Sequence, residues 1–159
     1  MQLPNCLLTM MLLGTAAYGD VVNEDFKLLA SDGVDQDRFG WSVSIDGDTA
    51  VIGAYQNENH PCCPNAGAAY VFRLVDGQWI EEAKLLANDG DENDEFGNSV
   101  SLSGNAVVIG AWGDDATNGS AYIYRFNGSQ WMYEAKLLPP DRAVNDRFGC
   151  AVSIEGDPI

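Results

Sequence analysis

The strongest constraint on the fold of this chain is a repeated segment. The sixteen residues FGWSVSIDGDTAVIGA (residues 39–54) return as FGNSVSLSGNAVVIGA (residues 96–111), with ten identical positions. A third copy, FGCAVSIEGDPI, begins at Phe148. Self-similarity at a period of about 50 residues is typical of arrays that stack one supersecondary unit several times. The chain is therefore predicted to consist of stacked copies of one unit.

Segments outside this block repeat in the same register. The motif KLL recurs at Lys27, Lys84 and Lys136, and AYVFR at Ala69 recurs as AYIYR at Ala121. Successive copies of the FG pair are 57 and then 52 residues apart, and the extra residues belong to the NENHPCCPN segment of the first copy. An insertion confined to one loop is common in repeat architectures.

Each full copy predicts four short strands. SVSI alternates polar and apolar residues, which places Val43 and Ile45 on one face. TAVIGA follows a glycine-centred turn and is apolar on both faces, so this strand is predicted to be buried on both sides. AYVFRL leads to the hairpin signals Asp76-Gly77 and, in the second copy, Asn127-Gly128. The next segment, QWIEEAKLLA, is interpreted as the fourth strand, with a helical turn at EEAKLL as the alternative.

A four-stranded antiparallel unit with a doubly buried strand must pack sheet against sheet. Radial stacking of such sheets gives a β-propeller. The sequence therefore predicts an all-β chain of β-propeller blades, with about two full blades and the start of a third. An incomplete propeller of this kind favours contact with further blades of a longer chain, or self-association.

The FG…GA frame resembles the FG-GAP repeat, which is the blade unit of the integrin α-chain propeller. The short GDTAVIGA form is most similar to bacterial and marine-microbe members, and the resemblance extends over residues 27–159. Tyr55 and Trp112 replace the proline of the family motif. The resemblance implies phenylalanines that lie between blades and glycines that permit close backbone approach. The motif positions are Phe39, Gly40, Gly53, Ala54, Phe96, Gly97, Gly110, Ala111, Phe148 and Gly149.

The first residues have the features of an export signal. Residues 1–19 carry no charge, and their apolar run CLLTMMLLGTAA is too short to span a bilayer. Small residues precede a cleavage position ahead of Asp20, although no Lys or Arg precedes the apolar run. We interpret residues 1–19 as a signal peptide of a secreted or cell-surface protein, with a buried strand or helix as the alternative. The organisation that follows is a lead-in strand and acidic loop (20–38), repeat 1 (39–95), repeat 2 (96–147) and a truncated repeat 3 (148–159).

The chain is strongly acidic. It has 24 acidic and 8 basic residues and a formal net charge of −16. Such a surface repels nucleic acids and anionic membranes, and it suits cations, basic partners or solubility alone. No later apolar run is long enough to be a membrane span.

The calcium loop that many FG-GAP proteins carry between their first two strands is absent. Only residues 46–49 and 103–105 occupy that position, with too few oxygens for a calcium ion. The stretch NDGDENDEFG contains Asp89, Asp91 and Asn93, which are candidates for weak calcium binding. The preferred interpretation of this stretch is a solvated loop between blades, and we predict no cofactor and no tight calcium site.

The same loops carry an aspartate two residues before each phenylalanine of the FG pair. These residues are Asp37, Asp94 and Asp146. Carboxylates at such positions often accept hydrogen bonds from nearby backbone N–H groups. They are therefore predicted to cap turns.

The cysteines do not have the spacing of a zinc site. Cys6 lies in the signal peptide, whereas Cys62 and Cys63 are adjacent to the only histidine, His60. A disulfide from one of this pair to Cys150 is compatible with export.

No catalytic motif stands out in the sequence. There is one histidine and neither a G-x-S-x-G nor an H-E-x-x-H segment. Loops after the second strands contain Tyr55, Trp112, Asp114 and Asp115, a mixture that suits contact with an extracellular protein or glycan, although both aromatic rings also suit packing between blades. The sequence therefore favours a non-enzymatic binding or adhesion module. The alternatives are a structural fragment of a longer repeat protein and an accessory propeller of a secreted polysaccharide-acting enzyme.

Overall fold

Two four-stranded antiparallel sheets form the computed structural model, which describes residues 26–58, 63–141 and 143–156. Each sheet keeps its strands in chain order and is called here a blade. Blade 1 contains β1 (Ser42–Asp46), β2 (Thr49–Ala54), β3 (Ala68–Val75) and β4 (Gln78–Leu85). Blade 2 contains β5 (Ser99–Ser103), β6 (Ala106–Ala111), β7 (Ser120–Phe126) and β8 (Trp131–Leu137), with a short α1 (Asp114–Thr117) after β6. The predicted all-β fold of four-stranded blades is confirmed, and residues 1–19, His60 and Cys62 lie outside the described part.

The hairpins form where the turn signals predict them. Asp76 and Gly77 make a two-residue connection between β3 and β4, and both have positive φ, of 51° and 78°. In blade 2 the corresponding connection has four residues, and the Asn127 side chain accepts hydrogen bonds there from the N–H groups of Ser129 (3.0 Å) and Gln130 (2.9 Å). The two hairpins therefore differ in length.

The second strand of each blade is buried along its whole length, as its two apolar faces predict. On one side of β2, Val51 contacts a core that includes Phe96 and Ile109 of the second repeat. On the other side, Ile52 packs in a cluster with Leu28 and Phe39. The doubly buried strand is therefore the centre of the packing between sheets.

Glycine is required where successive repeats touch. A Cβ atom at Gly53 would lie 1.9 Å from the carbonyl oxygen of Gly97, and one at Gly110 would lie 1.9 Å from that of Gly149. Gly97 itself has a φ of 89°, which L side chains rarely adopt. The FG and GA glycines thus permit the close approach of one repeat to the next.

Serine hydroxyls of the SVS segment also link the repeats. Ser42 Oγ donates to the Gly97 carbonyl at 2.8 Å, and Ser44 Oγ accepts from the Leu102 N–H at 3.0 Å. The same two contacts join repeat 2 to the third copy, from Ser99 Oγ to the Gly149 carbonyl (2.7 Å) and from the Ile154 N–H to Ser101 Oγ (3.0 Å). The described part of the third copy therefore continues the stacking, although residues 148–156 form no strand beyond one bridge from Phe148 to Gly119.

Candidate functional site

The blades present their longer loops at one edge. This loop edge is where β2, β4, β6 and β8 end and where β3 and β7 begin, opposite the short hairpins. Tyr55, Trp112, Asp114 and Asp115 all follow β2 or β6 and lie on it. Their environments differ, however: Tyr55, Trp112 and Asp114 belong to three separate local groups, and Asp115 lines a cavity together with Asp114.

Tyr55 belongs to an exposed aromatic pair. Its ring lies 4.9 Å from the ring of Trp41, centroid to centroid, with the planes inclined by 56°. Trp41 is 57% exposed, whereas Tyr55 is half-buried. Beside them, Arg38 Nε donates to Gln56 Oε1 at 2.9 Å. This group, called here the aromatic platform, consists of Arg38, Trp41, Tyr55 and Gln56.

Trp112 occupies the position of Tyr55 in repeat 2, but the side chain of Arg147 lies over its ring. The Arg147 guanidinium lies 4.8 Å from the centroid of the indole ring. Burial raises the pKa of Glu95, and its hydrogen bond with Trp112 and the charge of Arg147 partly oppose this rise. Trp112 is therefore engaged between two charged side chains.

Asp114 has a structural position. It is buried, accepts a hydrogen bond from Ser120 Oγ and forms an ion pair with Lys136 Nζ at 2.7 Å. Lys136 also donates to Asp89 at 2.7 Å, and the Tyr122 hydroxyl donates to Asp89 at 2.9 Å. Burial disfavours the charge of Lys136, but the two carboxylates outweigh it and raise the pKa of this ammonium group.

Blade 1 contains the same network with one substitution. Lys84 Nζ donates to Asp32 at 2.7 Å, and the Tyr70 hydroxyl donates to Asp32 at 2.7 Å. Where repeat 2 has Asp114, repeat 1 has Asn57, whose Oδ1 accepts from Lys84 at 3.0 Å. Each loop of the edge is thus fastened to its blade by a lysine, a tyrosine and an aspartate. Sequence analysis missed this network, although the recurrence of KLL and AY at a fixed spacing was a signal for it.

The substitution changes the electrostatics of a cavity at the loop edge of blade 2. The cavity measures about 480 Å³ and is lined by residues 89, 91–94, 113–117 and 136. Burial raises the pKa of Asp94 to about 6, and the neighbouring charge of Asp114 adds to the rise, whereas a backbone hydrogen bond from Asp91 opposes it. In repeat 1, Asn57 Nδ2 instead donates to the equivalent Asp37 at 2.9 Å.

The calcium candidates are engaged with protein groups. Asp89 accepts from Lys136, Asn93 Oδ1 accepts from Asn65 Nδ2 at 3.0 Å, and Asp91 Oδ1 accepts from the Glu92 N–H at 2.8 Å. Within residues 26–58, 63–141 and 143–156, no group of three or more His, Cys, Asp or Glu side chains is arranged to hold a metal ion.

The predicted turn caps are confirmed. In each copy the aspartate before the FG pair accepts a hydrogen bond from the backbone N–H three residues earlier. The bonds run from Val34 to Asp37 (2.9 Å), from Asp91 to Asp94 (2.6 Å) and from Ala143 to Asp146 (3.0 Å).

The disulfide to Cys150 that the sequence left open does not form. Cys150 is a free, exposed thiol in the third copy. Cys63, in the loop between β2 and β3, is disulfide-bonded. Cys63 belongs to a loop of blade 1, whereas Cys150 follows blade 2, so the two cysteines lie in different repeats.

Comparison with known families agrees with the repeat structure. A sequence model of the FG-GAP repeat matches the chain three times, at residues 22–72, 79–124 and 131–159, and these matches cover well over half of it. The second and third matches begin in β4 and β8, so the family unit joins the outer strand of one blade to the next blade. No curated protein matches the chain. Among the described residues, none of the helical structure has the length and apolar character that crossing a membrane requires.

Proposed function

Because the chain belongs to the FG-GAP repeat family, we propose that it is a non-catalytic, extracellular module that binds a protein or glycan at the loop edge of its blades. The blades supply a rigid base, since their central strands are fully buried. The lysine networks fasten the edge loops to this base. Rigid elements that carry exposed loops are the usual basis of recognition surfaces.

The aromatic platform carries this proposal. Of the described aromatic side chains, only Trp41 and Tyr133 are exposed, at 57% and 42%, and Tyr133 lies on the outer strand β8. An indole ring is costly to leave in water, because its complete burial removes well over 100 Å² of surface from solvent. An exposed tryptophan on a rigid loop edge is therefore well suited to a ligand.

The acidic groups of the edge support a binding role more than a catalytic one. Asp114 forms an ion pair with Lys136 and accepts a hydrogen bond from Ser120. Asp89 accepts hydrogen bonds from Lys136 and Tyr122. These contacts hold loops in place and leave neither carboxylate free to act as a nucleophile.

An apolar surface on blade 1 favours a second role, contact with a further blade of a longer chain or with another copy. Val43 and Ile45 on β1 are 46% and 47% exposed. Their counterparts Val100 and Leu102 on β5 face blade 1, and both are more buried, with Leu102 only 6% exposed. This surface is the one that a preceding blade covers in a propeller.

Binding is tested with the full secreted chain on arrays of immobilised glycans and extracellular proteins. We expect at least one ligand to be retained by the wild type and lost by Trp41→Ala. The control is Tyr133→Ala, which removes an exposed ring from the outer strand and should leave binding unchanged. Retention of no ligand on either array, or equal losses in both variants, would refute a binding site at the loop edge.

A further inference from the structure

The exposed ring of the aromatic platform indicates which class of ligand it binds. Trp41 has no aromatic counterpart in the other copies, which have Asn98 and Cys150 at this position. Its ring is exposed, whereas Trp112 is covered by Arg147. The first repeat alone therefore offers an open indole face at the loop edge of the described chain.

Polar donors lie beside the rings. Arg38 Nε donates to Gln56, the residue after Tyr55, and the Trp41 N–H donates to the Arg38 carbonyl at 3.1 Å, so the backbone places this pair close to the two rings. The terminal guanidinium nitrogens of Arg38 and the amide nitrogen of Gln56 make no hydrogen bond to described protein groups. A guanidinium and an amide together present several N–H donors and no competing charge-bearing acceptor.

A sugar ring matches this combination. One face of a pyranose presents C–H groups that stack on an aromatic ring, and its rim carries hydroxyls that accept hydrogen bonds. A stable protein partner generally covers about 800 Å² on each side, which is far more than two adjacent rings provide. The net charge of −16 repels sulfated and uronic acid polymers.

Building on the proposed function, we propose that the aromatic platform binds a neutral glycan. One sugar ring stacks on Trp41 with Tyr55 as the inclined side wall, and Arg38 and Gln56 donate hydrogen bonds to its hydroxyls. The site is shallow, so it takes a terminal or exposed residue of an oligosaccharide. Gln56 contributes to specificity, because its side-chain amide donates only to a hydroxyl at one position of the sugar ring.

The test is isothermal titration calorimetry, in which the full chain is titrated with neutral gluco-, manno- and chito-oligosaccharides. For at least one of them we expect saturable binding that weakens at least tenfold in Trp41→Ala and severalfold in Gln56→Ala. Tyr133→Ala serves as the matched control and should bind as the wild type does. Near-UV circular dichroism verifies that each variant keeps its packing, which is expected because Trp41 is mostly exposed.

The outcomes separate this inference from the proposed function. If neutral sugars fail to bind but an extracellular protein is retained through Trp41, the ligand class is wrong and the binding function stands. Preference for a sulfated or uronic acid glycan also overturns the inference. If a neutral glycan binds equally well to Trp41→Ala, the platform is not its site. Failure of every glycan and protein ligand overturns both proposals.

Discussion

One hydrogen bond across the blade interface has a natural control within the same chain. Trp131 Nε1 donates to Glu82 Oε2 at 3.0 Å, from blade 2 to blade 1. Its counterpart in the first repeat, Trp79, has a buried Nε1 with no hydrogen-bond partner in the described part of the chain. Trp131→Phe removes a donor that is used, whereas Trp79→Phe removes one that is not. The pair of variants isolates the contribution of this bond to stability.

The expected magnitude follows from the charge of the acceptor. Hydrogen bonds to ionised groups contribute about 1.5–3 kcal/mol. Burial alone would raise the pKa of Glu82, but hydrogen bonds from Arg73 and Trp131 lower it, so the carboxylate is ionised at neutral pH. Because the Glu82 side chain is 24% exposed and keeps its pair with Arg73, we expect the bond to contribute about 1–2 kcal/mol to the free energy of unfolding.

Urea unfolding at pH 7 measures the difference. Both variants lose ring atoms, but Trp131→Phe is expected to be less stable than Trp79→Phe by about 1–2 kcal/mol. A double-mutant cycle of Trp131→Phe with Glu82→Gln should give a coupling energy of similar size. Equal losses in the two phenylalanine variants, together with a coupling energy near zero, would refute the reasoning.

Two further predictions concern the cavity and the repeat glycines. Since the pKa of Asp94 is raised from 3.8 to about 6, the folded state holds its proton more tightly, and stability falls as pH rises through that window. Asp94→Asn should therefore raise the free energy of unfolding by about 1–2 kcal/mol more at pH 7 than at pH 4, as followed by melts across pH, because the amide oxygen can still accept from the Asp91 N–H but carries no charge; a pH-independent difference would contradict this. Gly53→Ala should lower the melting temperature by more than 10 °C, or prevent folding, because its Cβ would lie 1.9 Å from the Gly97 carbonyl oxygen; a wild-type melting curve would show that the repeats do not pack this closely.

The blades were predictable because their information is local and repeated. Strand alternation, the DG and NG turns and the doubly apolar TAVIGA segment each act within a few residues. Two copies then confirm one another, so that a pattern ambiguous in one copy is resolved by its repetition. QWIEEAKLLA, which is compatible with a helical turn, was assigned as a strand from its place after a hairpin, and it forms β4.

The contacts of the loop edge were missed, because their partners are distant in the sequence and meet only in the folded blade. Lys84 pairs with Asp32, 52 positions away, and the only signal for this pair is that KLL and AY recur at a fixed spacing. Asp114 was interpreted as a ligand-contact residue from its place in a loop, although Lys136 and Ser120 of the same repeat hold it within the protein.

Trp41 was missed for a different reason. The repeat directs attention to positions that agree between copies, and position 41 is one at which all three copies differ. Whether such a residue is exposed depends on the packing of the loops around it, which sequence alone does not determine. Departures from a repeat are therefore as informative about function as the repeat is about fold.

The most direct test of ligand binding at the loop edge uses the four tryptophans of the chain as reporters. The full chain is labelled with 5-fluorotryptophan, its ¹⁹F resonances are assigned by single Trp→Phe variants, and neutral oligosaccharides are added. The Trp41 resonance is predicted to shift progressively with ligand, while the resonances of Trp112, of the partly buried Trp79 and of the buried Trp131 stay in place. A shift centred on any of those three, or no movement of Trp41 at saturating sugar, would contradict the account.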